Sequence, residues 1–94
     1  MKKSELVKKL TERFPHIAKP DIEKIVNTII DRMIEALMEN DRIEIRGFGT
    51  LFVKLRRERE ARNPRTGVRL TIGSKRVPFF KAGKELKELV NKST

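Results

Sequence analysis

The 94-residue sequence has no cysteine, no tryptophan, no tyrosine and a single histidine, His16. Without cysteine there is no disulfide, no thiol nucleophile and no thiolate metal site. One histidine and scattered acids leave no acid–base or nucleophile constellation, so an enzyme is not expected. His16 stands beside Pro15 in a connector, with no second ligand near it in sequence, and reads as a turn or capping residue. No apolar run approaches the roughly 18 residues of a membrane-spanning helix. The opening MKKSELVKKL lacks the apolar stretch of a secretory signal. A soluble intracellular chain is expected, with no cofactor, no metal, no small-molecule substrate and no membrane. Its length suits a single domain with a modest core, for which a partner subunit would supply the missing burial.

Cations are plentiful. Lys and Arg number 23 against 13 Asp and Glu, for a net charge of +10. The excess is local: residues 54–76 hold nine cations and two acids, so seven of the ten net charges fall in that segment. Such a balance suits a polyanion.

Hydrophobic spacing predicts a helix over 4–14, with Leu6, Val7, Leu10 and Phe14 on one side, Ser4 as N-cap and Pro15 as stop. A second helix begins near Pro20, with Asp21 and Glu23 at the positive end of its dipole. Its stripe, Ile22, Ile25, Val26, Ile29, Ile30, Met33, Ile34, Leu37 and Met38, is wide for so small a chain; an ordinary core helix is one reading, and packing across a subunit interface is the one favoured, because the rest of the chain offers little to cover it. After a turn at Asn40-Asp41, RIEIR alternates as a strand with Ile43 and Ile45 inward. Gly47-Phe48-Gly49 closes a hairpin, and TLFVKL returns with Leu51, Val53 and Leu55 inward. RRERE then alternates without an apolar face and can pair with VRLTI across ARNPRTG. A two-stranded ribbon of this kind is marginal alone and is expected to be ordered by what it binds. SKRVPFF returns to the body with Val77, Phe79 and Phe80 as apolar candidates. KELKELV forms a last helix with Leu86, Leu89 and Val90 inward.

ARNPRTG contains two common turn pairs, Asn-Pro and Thr-Gly, and a plain hairpin turn accounts for them. A second reading uses the chemistry of Pro64. Its ring is compact and apolar, its φ is fixed, and it has no N–H to desolvate, so it can be pushed between base pairs. The flanking arginines would neutralise phosphate, and arginine is favoured in a narrow minor groove.

RIEIRGFGTL, then Arg56, Arg59 and RNPRTG, then VPFFKAGKEL, resemble the HU/integration host factor family of bacterial DNA-bending proteins over the whole chain. RIEIRGFG and the KSEL start are most similar to the integration host factor beta subunit. Wedge insertion from the minor groove is an established mechanism of this family and comes with the resemblance, not from residue spacing. The resemblance implies an α+β fold and an intertwined dimer. Two N-terminal helices make its base, an antiparallel sheet its saddle, a long β-ribbon its arm, and a short helix ends the chain. It implies a single domain, 1–94, with body 1–54 and 76–94 and arm 55–75. The partner is double-stranded DNA, bound by a homodimer or by a heterodimer with an alpha-like subunit, in a nucleoid-associated, cytoplasmic setting.

By the same resemblance Pro64 is the intercalating wedge, and Arg56, Arg59, Arg62, Asn63, Arg65 and Thr66 line the arm's contacts. In the body, Arg42, Glu44, Arg46, Lys75 and Arg76 belong to the DNA surface. Phosphates fall to Lys3 and Ser4 at the first helix, and to Lys81, Gly83 and Lys84 at the last. Helix N-termini attract anions on general grounds as well. Three positions depart from the family pattern. Ala82 replaces a frequent Pro or Ser, Ala61 replaces a common Gly, and Phe52 stands where small or charged residues are usual. The sequence leaves open whether Phe52 packs under the arm or touches a partner.

Glu44 either orients Arg46 toward the minor groove or forms a surface ion pair of little worth. Glu58 and Glu60 are expected to pair across the ribbon with its arginines. Two other functions are compatible with the charge: an RNA-binding or ribosome-associated protein, and an assembly module whose arm enters a protein partner.

Overall fold

The computed structural model describes residues 1–92, arranged as two compact units, one of residues 1–35 and one from Ala36 onward. The first unit is a helical pair. Helix α1, Lys3–Arg13, starts where the Lys2 carbonyl accepts from the N–H groups of Glu5 and Leu6. Ser4 is therefore inside the first turn and is not the N-cap. Lys2 holds that position in extended conformation, without a side-chain cap. The helix stops before Pro15, whose ring disfavours helical geometry in the residue ahead of it. Helix α2, Lys19–Met38, starts on the Ala18 carbonyl, with Pro20 in the first turn, where a missing N–H costs nothing. Val7 of α1 packs with Ile22 and Val26 of α2, rimmed by Leu6, Leu10 and Ile17.

Only one edge of the α2 stripe enters this cluster. Ile25, Ile29 and Ile34 stay 51%, 55% and 51% exposed. Among the described residues, Val7, Ile22 and Val26 are the whole of the fully buried apolar core.

The second unit begins at the end of α2. Asn40 adopts φ 61° and donates its N–H to the Leu37 carbonyl, while Asp41 donates to Ala36. This is a Schellman closure with Asn in the left-handed position, where its short side chain is better tolerated than most. Strands β1 (Ile43–Ile45), β2 (Gly49–Arg56) and β5 (Lys75–Ala82) form an antiparallel sheet in the order β1-β2-β5. Register runs Ile43↔Leu51 on one side and Gly49↔Ala82 through Arg56↔Lys75 on the other. Gly47, at φ 81°, turns the first hairpin. Pro78 is accommodated because β5 is an edge strand. Helix α3, Lys84–Asn91, follows Gly83, whose N–H is taken by the Phe48 carbonyl at 2.9 Å.

Strand alternation puts Ile43, Ile45, Leu51, Val53, Leu55, Pro78 and Phe80 on one face of the sheet. The chain alone leaves this face open: Leu55 is 68% exposed and Phe80 45%. Val77 and Phe79 point to the opposite face, so the three apolar candidates of SKRVPFF are divided between the two sides of the sheet. Of the α3 residues expected inward, Leu86 is half-buried, whereas Leu89 and Val90 are exposed. The three share one helix face, and the single chain covers only its Leu86 end.

Between β2 and β5 lies a separate two-stranded sheet, β3 (Arg59–Arg62) with β4 (Arg69–Ile72). Pairing lapses at residues 57–58 and 73–74, so the ribbon is its own ladder rather than a prolongation of β2 and β5.

Candidate nucleic-acid interface

The ribbon tip is built by Asn63. Its N–H donates to the Val68 carbonyl at 2.9 Å, and its carbonyl accepts from Gly67 at 2.8 Å. Its side-chain oxygen accepts from the Arg65 N–H at 2.8 Å, an Asx turn spanning Pro64. Thr66 Oγ1 accepts from the Val68 N–H at 3.3 Å, and Gly67 supplies φ 71°. Asn63 and Thr66, assigned to DNA by resemblance, thus also fold the turn. The effect is to hold Pro64 outward and exposed at the apex, with Arg62 and Arg65 exposed beside it.

Register divides the ribbon into two faces. Arg59, Ala61, Leu70 and Ile72 lie on one, Glu60, Arg62, Arg69 and Thr71 on the other. RRERE itself brings no apolar face, but the paired ribbon has a narrow apolar strip, in which Ala61 and Ile72 are half-buried beside Leu70. The missing signal was in VRLTI, whose Leu70 and Ile72 supply the strip, and not in RRERE. On the polar face Arg62 stands directly opposite Arg69. Like charges so placed repel, and Glu60, 3.9 Å from Arg69, offsets only part of this in an exposed pair. A polyanion laid along this face would relieve the remainder.

At the ribbon's root Arg56, Arg57, Arg59 and Lys75 surround an open recess floored by Ile72, Gly73 and Val77. Arg57 was not singled out from sequence, although its place in the basic run could have shown it.

The body sheet contributes the face opposite its apolar one. Thr50, Phe52, Lys54 and Arg56 of β2 alternate onto it, joined by Lys75, Val77, Phe79 and Lys81 of β5 and by Glu44 of β1. Phe52 and Phe79 are direct cross-strand partners, with ring centroids 6.2 Å apart and planes 22° from parallel. Lys54 Nζ lies 5.8 Å from the first ring and 5.1 Å from the second. The Arg42 guanidinium lies 5.7 Å from Phe52, and that of Arg56 lies 5.0 Å from Phe79. Phe52 therefore packs on Phe79 beneath cations. Lys54 and Phe79 belong to this surface and were missed as site residues, because pairing across β2 and β5 is not legible in a linear pattern.

Other expected residues are distributed as follows. Arg42, Thr50, Lys81, Gly83, Lys84 and Lys87 come together around the start of α3. The Gly83 N–H is committed to Phe48, so the cations supply most of the anion attraction there. In the helical unit Lys3 Nζ donates to Asn27 Oδ1 at 2.9 Å, beside Ser4. Glu44 approaches Arg42, at 3.8 Å, rather than Arg46, which lies in the turn after β1. Alternation puts Arg42 on the same face as Glu44, whereas the turn carries Arg46 away. Arg76 is on the apolar side of the sheet, where its Nη2 donates to the carbonyls of Leu37 and Met38 and to Asn40 Oδ1. Those bonds cap the end of α2.

A family model of bacterial DNA-binding proteins matches residues 1–91. The HU protein of Anabaena, solved in a cocrystal with DNA, is 34% identical, covering 97% of this chain and 98% of that one with a TM-score of 0.86. A point mutant of HU from Thermotoga maritima is 32% identical, with 97% and 100% coverage and a TM-score of 0.69.

Proposed function

The chain belongs to the family of bacterial DNA-binding proteins, and on that footing we propose that it is an architectural protein that bends duplex DNA without doing chemistry on it. Its ribbon, residues 55–75 with the root, enters the minor groove. Pro64 wedges a base step open, which costs a few kcal/mol, and the resulting bend brings more phosphate within reach of the body's cations. The observation that carries this reading is the exposed Pro64, held outward by the Asn63 turn between Arg62 and Arg65. Arg56, Arg59, Arg62 and Arg65 neutralise phosphate along the ribbon, and Lys75, Lys81 and Lys84 do so nearer the body.

The working form is a dimer. Ile25, Ile29, Ile34 and Met38 on α2, with Leu55 and Phe80 on the sheet, are exposed in the single chain. Burying such a side chain contributes about 1.5–3 kcal/mol, so a second subunit is strongly favoured. That subunit is either a second copy or an alpha-like relative, the latter suggested by the likeness of RIEIRGFG and KSEL to the integration host factor beta subunit. The chromosome, as a nucleoid in the cytoplasm, is the setting for this activity.

The test is a duplex labelled at both ends, mixed with the purified chain alone. Energy transfer rises if the ends approach. Pro64→Ala should reduce that rise far more than it reduces the salt-dependent affinity. A straight duplex at saturating protein, or a Pro64→Ala protein that bends as well as wild type, overturns the wedge. Binding and bending by the chain alone would make an alpha-like partner unnecessary.

A further inference from the structure

We propose that Phe52 and Phe79 form a stacking site for an unpaired base of single-stranded DNA, with Arg42, Lys54 and Arg56 taking the phosphates on either side. This goes beyond duplex bending, since it requires neither the wedge nor the ribbon tip.

Two phenyl rings side by side are an unusual centre for a sheet face whose other side chains are mostly cationic. The faces of these rings are approached by ammonium and guanidinium groups at 5.0–5.8 Å. Such contacts are weak where the cation is exposed to water, so the heads are free to exchange onto a better partner. A single strand of DNA offers both halves of that exchange at once. Its phosphates take the cations, and its unstacked bases take the rings. An intact duplex offers phosphates and, in its grooves, base edges, but no free base face, because its bases are stacked on one another. An acidic peptide would satisfy the cations and return the rings to water.

Charge on the face fits the same ligand: Lys54, Arg56, Lys75 and Lys81 accompany the rings, and Glu44 is offset by Arg42. DNA rather than RNA is assigned from the position of the pair. Phe52 lies four residues before the end of β2, and Phe79 four after the start of β5, where the ribbon strands depart. That separation is about 13 Å along the strands, so the pair shares a face with cations that the proposed function gives to DNA, and the assignment to DNA rests on that reading.

The test compares a labelled oligothymidylate of roughly ten nucleotides with a base-free strand of equal length and charge, by fluorescence anisotropy at matched salt. The full-length protein should bind the thymidylate about tenfold tighter or more. Phe52→Leu with Phe79→Leu should erase that difference while leaving affinity for the base-free strand in place. Phe52→Tyr with Phe79→Tyr should restore it. Pro64→Ala should leave it intact, which separates failure of this site from failure of the bending reading. Equal affinity of the wild-type protein for the two strands overturns the proposal without any variant. A difference that survives the double leucine substitution also overturns it, and an oligouridylate that outcompetes the thymidylate overturns the assignment to DNA.

Discussion

The Arg76 guanidinium lies 2.6 Å from Asn40 Oδ1, and the same nitrogen reaches the carbonyls of Leu37 and Met38. A cation at a helix C-terminus is favoured by the dipole and by the unpaired carbonyls there. Arg76→Gln should therefore destabilise the fold by about 1 kcal/mol. For a chain of this size that lowers the melting temperature by roughly 4–8 °C. The salt dependence of duplex affinity should not change. A shallower salt slope with unchanged melting would return Arg76 to the phosphate contacts that the family resemblance implied.

Gly49 and Gly73 should respond oppositely to alanine. A Cβ on Gly49 would stand 2.5 Å from the Lys81 carbonyl oxygen and 2.6 Å from Phe80 Cζ, whereas one on Gly73 meets nothing within 4 Å. Gly49→Ala forces β2 and β5 apart and should cost about 3 kcal/mol, the upper range for overpacking. Gly73→Ala should leave global stability within about 0.5 kcal/mol. Denaturant melts of the two variants at equal concentration provide the comparison.

Arg62 and Arg65 flank the apex and are exposed. If each neutralises one phosphate, Arg62→Gln and Arg65→Gln should each reduce the slope of log affinity against log salt by about 0.9. Arg62→Gln has a second expected effect. It removes the repulsion with Arg69 opposite, so the free ribbon should become better ordered, as read by slower amide exchange in β3 and β4.

Much of the secondary structure was legible in the sequence, because its signals are local. The α2 stripe, the Gly47 hairpin, the RNPRTG tip and the charge concentrated after Lys54 all lie within short windows. What escaped depends on contacts between distant positions. Arg76 reads as one more cation in a basic run until its partners, nearly forty residues earlier, are known. The Phe52–Phe79 pair requires the register of β2 against β5. Glu44 was read either as orienting Arg46 or as a surface ion pair; the exposed pair it makes is with Arg42, at 3.8 Å, a partner set by strand alternation rather than by the run of charges. Leu89 and Val90 follow helical spacing and share a face with Leu86, yet the single chain leaves that part of the face uncovered.

Ile29 is 55% exposed in the middle of α2. If it lies in a dimer interface, Ile29→Glu should place an unpaired charge there and weaken association by several kcal/mol. The wild-type protein should melt at higher temperature as its concentration rises, since association stabilises by mass action. The variant should elute as a monomer in size-exclusion chromatography. A concentration-independent transition for the wild type would count against the dimer.

The two lapses in pairing, at 57–58 and 73–74, uncouple one dimension of the molecule from the rest. Adding a residue to both ribbon strands would lengthen the finger by about 3.3 Å without shifting a single rung from Gly49↔Ala82 to Arg56↔Lys75. If Pro64 opens a base step as proposed, the spacing between that step and the body is set by ribbon length alone, while the scaffold beneath keeps its alignment.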